Sequence, residues 1–204
     1  MARNLSPSIK KSRRFGVDLG HKQNSQKVAR RLTIPPGQHG QKKRRGRRPS
    51  EYGQQLAEKQ KVKFIYGILE KQFAKYVKKA KLNPQATGEE LLRLLERRLD
   101  NAVFRLNFAP TRAMARQLVT HGHVSVNNKK VTIPSYQINI NDVIILGQTA
   151  ANIPDVLKRL QQKDIEIPKW MQKKALAGKI HRLPGISDID SGVNDQLIVE
   201  FYSR

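Results

Sequence analysis

Apolar residues recur at spacings of three and four between residues 51 and 81, and this pattern predicts a long amphipathic helical segment. Ser50 stands directly before the segment and is a favourable N-cap residue. Gly67 interrupts the pattern and is a candidate break between two helices. The apolar positions are Leu56, Phe64, Ile65, Ile68, Leu69, Phe73, Tyr76 and Val77.

Two more helical patterns follow this segment. Thr87 and the acids after it open a leucine-rich stripe that runs to residue 106, and acids suit the positive end of a helix dipole. Thr111 caps a further predicted helix near residues 111–121. That helix is expected to turn Ala113, Ala115, Leu118 and Val119 inward and Arg112, Arg116 and Gln117 outward.

The period then changes from helical to alternating. Residues 123–126 and 130–133 alternate apolar and polar positions, and residues 127–129 between them include two asparagines that tolerate left-handed backbone. This pattern predicts a β-hairpin, with a further strand at 143–146 and a short helix over 154–163. Residues 197–202 have the composition of a strand, but Asn194 as a cap equally permits a short helix.

The first quarter of the chain differs from the rest in charge and in pattern. Residues 1–50 hold 15 Lys and Arg against one acid, whereas residues 51–204 hold 25 against 15. This quarter has few large apolar residues and no helical period, so it is expected to form an extended basic arm over residues 1–48. Its densest basic run lies at residues 42–48, just after the turn-rich stretch 35–40.

The formal net charge is +24, and so many like charges repel one another in a compact protein. A polyanionic partner is therefore expected, because it would neutralise this charge. Nucleic acid is the leading candidate, because neutralised phosphates release condensed counterions, and an anionic membrane surface is the second.

The chain has no cysteine, which excludes disulfides and thiolate zinc sites. No apolar run reaches the roughly 18 residues of a membrane span, and the start resembles no secretory signal. A basic mitochondrial presequence remains an alternative for the N-terminal segment.

Searches for catalytic and metal-binding patterns give little. No phosphate-binding loop is present, and His121 and His123 lack the further ligands of a zinc site, so neither cofactor nor metal is predicted. Arg98-Leu99-Asp100 resembles the triplet around the catalytic aspartate of pseudouridine synthases, but it lies in an amphipathic helical pattern. Asp100 is therefore expected to be a surface or salt-bridging residue, and the chain is not expected to be an enzyme.

The block from residue 97 to about 146 resembles the small RNA-binding domain named after ribosomal protein S-four. The resemblance lies in residues 97–101, 111–113, 115–119, 121–127, 134–136 and 141–144. Because several RNA-handling families share this domain, the block by itself indicates RNA binding only. Residues 36–40, 50–56, 58–62, 66–73 and 197–203 resemble the ribosomal protein S-four (uS-four) family itself, so the likeness covers nearly the whole chain.

This resemblance implies a structural constituent of the small (30S) ribosomal subunit. The family's bacterial members bind 16S rRNA at a helical junction, nucleate assembly of the subunit body and contribute to translational accuracy. They adjoin ribosomal protein S-five (uS-five), and some bind their own mRNA. Many members hold zinc with four cysteines, so this chain resembles the zinc-free subgroup. The expected location is cytoplasmic, in the small subunit, with an organellar ribosome as the alternative.

Pattern and resemblance together predict an α+β protein with three parts. These are the extended basic arm (1–48), a mainly helical domain (49–95, completed by 170–204), and a small RNA-binding domain (96–169) of two helices packed on a short antiparallel sheet. The lysines of residues 51–81 are either a solvated face or RNA contacts. The predicted RNA-binding residues are Arg3, Lys10, Lys11, Arg13, Arg14, Gln38, His39, Lys42, Lys43, Arg44, Arg45, Arg47, Arg48, Tyr52, Lys59, Lys61, Arg112, Arg116, Gln117, His121, His123, Asn127, Lys129 and Lys130.

Two functions compete with a ribosomal role. An RNA-modifying enzyme could carry the same small domain, and it would need a catalytic centre of the kind that Asp100 would supply. A nonspecific DNA-compacting protein would share the charge, because phosphate contacts carry no sequence information.

Overall fold

The computed structural model describes residues 8–21, 25–38, 40, 50–162, 166–189 and 192–203. They form two compact units: the described residues up to 88 together with 192–203, and the described residues from 89 to 189. The helices are α1 Ser8–Phe15, α2 Ser25–Leu32, α3 Glu51–Ile65, α4 Glu70–Ala80, α5 Thr87–Glu96, α6 Leu99–Arg105, α7 Arg112–Thr120, α8 Gln148–Ala151, α9 Pro154–Gln161 and α10 Asp195–Ser203. The strands are β1 Val124–Val126, β2 Lys129–Lys130, β3 Val143–Leu146, β4 Met171–Lys174 and β5 Ala177–Ile180.

The predicted helical segment 51–81 forms two helices that separate at the expected glycine. The Ser50 hydroxyl accepts a hydrogen bond from the Gly53 amide at 3.2 Å, which caps α3. At the other end Gly67 adopts φ +63°, and the Gly67 and Ile68 amides bond back to the last turn of α3. This left-handed glycine terminates α3 because residues with a side chain rarely adopt that conformation.

The first unit closes with the C-terminal helix. α10 packs against α3, and Ile198 of α10 is fully buried. The Asn194 side chain accepts from the Leu197 amide at 3.4 Å, so this end of the chain takes the helical alternative, not the strand. The core of the unit also includes Val62, Tyr66, Ile68, Phe73, Val77 and Ala80.

The extended form expected for the N-terminal arm is wrong for its described part. α1 and α2 are helical, pack against one another and bury Leu19 and Val28 almost completely. The Arg13 guanidinium donates to the carbonyl oxygens of Ile34 at 2.8 Å and Pro35 at 3.0 Å. The burial of these two apolar side chains and the Arg13 hydrogen bonds stabilise α1 and α2, although the sequence of this segment shows no helical period.

The second unit contains an antiparallel sheet in the order β2-β1-β3-β5-β4. Its core includes residues from α6, α7, the sheet and Trp170, which is 1 % exposed. The α+β class with helices and a small antiparallel sheet is therefore confirmed.

The second unit also corrects the sequence-based boundaries. Residues 170–191 were assigned to the helical domain, but β5 pairs with β3 and β4 extends the same sheet. The predicted hairpin turn of residues 127–129 is shorter, since Asn127 and Asn128 form it with φ of 50° and 64° and Lys129 already lies in β2.

Candidate nucleic-acid interface

Helix α7 presents one apolar and one polar face at the surface of the second unit. The Thr111 hydroxyl accepts from the Met114 amide at 3.2 Å and fixes the start of the helix. Ala115, Leu118 and Val119 are buried, as predicted, whereas Ala113 is exposed. The Gln117 side chain is exposed, and Arg112 and Arg116 are half-buried, one turn apart on one side.

The α7 terminus brings the two histidines beside a hairpin lysine. Gly122 has φ +74°, and the Gly122 and His123 amides bond back to the carbonyl oxygens of Val119 and Leu118 at 3.0 Å. The ring centroids of His121 and His123 lie 6.3 Å apart. A Cβ at Gly122 would overlap only the end of the flexible Lys130 side chain, which can move aside, so the positive φ is what favours glycine at this position.

All three predicted contacts on the hairpin are exposed, but the Asn127 side chain is engaged within the protein. Lys129 and Lys130 are exposed. Asn127 instead links the turn to the start of β3: its amide nitrogen donates to Asp142 at 2.7 Å, and its oxygen accepts from the Val143 amide at 2.9 Å. The Asn127 side chain therefore fixes the position of the tip. We name Arg112, Arg116, Gln117, His121, His123, Lys129 and Lys130 together the α7 surface.

A buried hydrogen-bond network holds Arg112 of the α7 surface. The Glu96 carboxylate is 1 % exposed; it accepts from the Arg105 guanidinium at 2.8 and 3.0 Å and from the Asn101 amide nitrogen at 2.7 Å. The Asn101 oxygen in turn accepts from Arg112 Nε at 2.8 Å. The Arg112 guanidinium also lies 4.5 Å from the Phe104 ring centroid, a cation–π contact. Sequence reasoning missed this network, because its members lie on three helices.

The Arg98-Leu99-Asp100 triplet has a structural role. Arg98 is 1 % exposed and donates to both carboxylate oxygens of Asp100 at 3.0 and 2.7 Å. Arg116 Nη1 lies 3.8 Å from the same carboxylate. Of the two expectations for Asp100, salt bridging is therefore confirmed, whereas a surface position is wrong, since only 5 % of the residue is exposed.

The structure does not place Lys59 and Lys61 on the surface, where they were expected. Lys59 Nζ pairs with Glu70 at 2.8 Å and lies 4.3 Å from the Phe201 ring centroid. Lys61 Nζ donates to the Gly192 carbonyl oxygen at 2.6 Å. Both residues are less than a tenth exposed, so a solvated face does not describe them, and their contact with RNA stays a prediction.

The Glu70 carboxylate accepts hydrogen bonds from Lys59, Lys63 and Tyr202. Burial alone would raise the pKa of its carboxyl, but hydrogen bonds from Lys59, Lys63 and Tyr202 outweigh it and lower the pKa to about 2. Burial and the same carboxylate raise the pKa of the Tyr202 hydroxyl. This cluster attaches α10 to α3 and α4 within the first unit.

The other predicted RNA-binding residues of the first unit differ in their exposure and in their contacts within the protein. Lys10, Arg14, Gln38 and Tyr52 are exposed. Lys11 lies 4.9 Å from the Phe64 ring centroid, and burial, with the neighbouring charge of Lys63, lowers its pKa. The remaining predicted positions fall outside the described residues; they are Arg3, His39, Lys42, Lys43, Arg44, Arg45, Arg47 and Arg48.

Two findings concern other kinds of site. No group of three or more His, Asp or Glu side chains that could hold a metal ion occurs among the described residues. In the same part of the chain, no helix combines the length and the apolar character that crossing a bilayer requires.

Comparison with known proteins matches both parts of the chain to family models. Residues 3–96 match the family described as the ribosomal protein S4/S9 N-terminal domain, and residues 97–144 match the S4 domain. These two matches define the class of the protein, a ribosomal protein with an S4 domain after its N-terminal domain.

Full-length relatives narrow the assignment. The chain is 48 % identical over 210 residues to the small ribosomal subunit protein uS4 of Aquifex aeolicus, with all of each chain covered. It is 46 % identical over 215 residues to the protein of the same name from Roseiflexus castenholzii, again with complete coverage. The chain belongs to the uS4 family of small ribosomal subunit proteins. This family is structural and non-enzymatic, so the resemblance seen in the sequence and the prediction of no enzyme are both confirmed.

Proposed function

We propose that the chain is a structural protein of the small ribosomal subunit that binds 16S rRNA at a helical junction. The observation that carries the proposal is the α7 surface, on which cationic and polar side chains stand on a helix and a hairpin that side-chain hydrogen bonds hold in place. Membership of the uS4 family, whose relatives are named for the small subunit, supports the same conclusion.

The surface suits the recognition of RNA by shape. Side chains cannot read the deep major groove of an A-form helix, so contacts go to phosphates and 2′-hydroxyls. The planar guanidinium groups of Arg112 and Arg116 match phosphate oxygens in pairs, whereas Lys129 and Lys130 act as point charges at the hairpin. Because Asn101 and Phe104 hold Arg112 before RNA arrives, less side-chain entropy is lost on binding.

The finer functions of the proposal follow from the family. We include in it the nucleation of subunit-body assembly, a contribution to translational accuracy, a position beside ribosomal protein uS5, and binding of the chain's own mRNA. We place the protein in the cytoplasm as part of the small subunit. The basic residues of the arm are proposed to contact rRNA as well, and their net positive charge supports this.

The proposal is tested by competition between RNA and DNA. We expect the full chain to bind a 16S rRNA junction fragment more tightly than a DNA duplex of equal length at the same salt concentration. The physical reason is that the A-form shape and the 2′-hydroxyls are absent from DNA. Fluorescence anisotropy of a labelled fragment, with either competitor, measures the ratio. Equal affinities would favour the DNA-compacting alternative.

We expect Asn101→Leu to weaken rRNA binding through Arg112. The substitution removes the acceptor of Arg112 Nε, so the guanidinium loses its fixed orientation. A double-mutant cycle with Arg112→Ala measures the link, and we expect a coupling of about 0.5–3 kcal/mol in binding. If Asn101→Leu weakens binding equally in the presence and absence of Arg112, the positioning role is refuted. Trp170 fluorescence checks that both variants are folded.

A further inference from the structure

Helix α4 carries four lysines on the face opposite its core contacts. Phe73, Val77 and Ala80 are the buried residues of this helix. At 100° per residue, the lysines project on the other side, and all four are exposed. We name this set the lysine stripe; its members are Lys71, Lys75, Lys78 and Lys79.

No acid of the helix is available to neutralise the stripe. Glu70 is the one acidic residue of α4, and both its carboxylate oxygens are already engaged. Oε1 accepts from Lys59 at 2.8 Å and from the Tyr202 hydroxyl at 2.9 Å, and Oε2 accepts from Lys63 at 2.9 Å. Across the residues that the structure describes, no ion pair joins an acid to a lysine of the stripe.

The lysines of the two consecutive helices α3 and α4 therefore differ in their ion pairing. The α3 lysines Lys59, Lys61 and Lys63 each pair with a carboxylate inside the first unit. On α4, Lys71 and Lys75 are four residues apart, as are Lys75 and Lys79, and like charges at this spacing destabilise a helix. An external polyanion that lies along the stripe would remove this repulsion and release its own counterions.

We propose that the lysine stripe binds the phosphate backbone of rRNA, as a contact of the first unit additional to the α7 surface. This inference rests on the proposed function. Lysine ammonium groups are flexible point charges, so the stripe adds affinity without base specificity. The stripe is about 12 Å long, at 1.5 Å per residue from Lys71 to Lys79, which is enough to meet several phosphates.

The test compares two variants of the full chain with equal loss of charge. The first replaces the stripe by K71Q/K75Q/K78Q/K79Q. The control replaces four exposed lysines of the second unit, none of which belongs to the α7 surface, by K158Q/K169Q/K174Q/K179Q. Glutamine is a good helix former, so α4 should stay folded, and circular dichroism checks this. The affinity of each protein for the 16S rRNA junction fragment is measured at a series of salt concentrations.

We expect the stripe variant to lower the steepness of the log affinity against log salt plot by roughly 3, since each phosphate contact contributes close to 1. The control should change the steepness by less than 1. Equal changes in the two variants, or no change in the stripe variant, would overturn the inference while leaving the proposed function intact. A wild-type slope near zero would instead refute the proposed function.

Discussion

Asp100→Ala is expected to destabilise the second unit by about 3–5 kcal/mol, because it leaves the Arg98 guanidinium buried without its carboxylate. The same change removes the acceptor of the Asn101 amide at 2.9 Å and the carboxylate near Arg116. Such a loss is a large part of the 5–15 kcal/mol that stabilises a typical domain.

Trp170 makes this prediction measurable in one unit of the protein. It is the one tryptophan of the chain and lies in the core of the second unit, so its fluorescence during urea unfolding reports that unit. Asp155→Ala removes the same charge from an exposed position of α9 and should cost at most about 1 kcal/mol. An Asp100→Ala protein as stable as the Asp155→Ala control would refute a structural role for the ion pair.

Ile198→Ala is expected to destabilise the first unit by about 2–5 kcal/mol. Ile198 is fully buried where α10 packs on α3, and truncation removes apolar contacts and leaves a cavity. Hydrogen exchange of the α3 and α4 amides measures the effect, because their protection depends on the core that α10 completes.

Gln196→Ala is the matched control in the same helix. Gln196 is exposed, and alanine is at least as good a helix former, so the exchange rates of α3 and α4 should stay close to those of the wild type. The Trp170 transition, which reports the second unit, should change less than the α3 and α4 exchange in Ile198→Ala. Unchanged exchange in Ile198→Ala would show that α10 does not stabilise the first unit.

Local signals in the sequence predicted much of the second unit. Thr111 caps α7, the paired asparagines form the hairpin turn, and residues 143–146 form β3, because each feature depends on neighbours within a few positions. The strands β4 and β5 were missed. Residues 171–174 contain Met-Gln-Lys-Lys and residues 177–180 contain Ala-Gly-Lys-Ile. β5 pairs with the distant β3, and β4 joins the sheet by pairing with β5.

Charged residues were harder to place than apolar ones. The sequence shows Lys59 only as one of the eight lysines of residues 51–81, whereas its burial depends on Glu70 and Phe201, the latter more than a hundred residues away. The same holds for Asn101, whose role follows from Glu96 and Arg112 on other helices. The resemblance to a known family predicted the function. It could not distinguish the lysines and arginines that form ion pairs within the protein from those that are exposed and can contact RNA.

The central claim is that the positive charge of the chain binds the rRNA backbone, and the salt dependence of the wild-type complex tests it most directly. Affinity for the 16S rRNA junction fragment would be measured between 50 and 200 mM salt (about the range over which such contacts weaken strongly). If about ten phosphates are neutralised, the log–log slope should be roughly −7 to −9. A slope near zero would contradict the account.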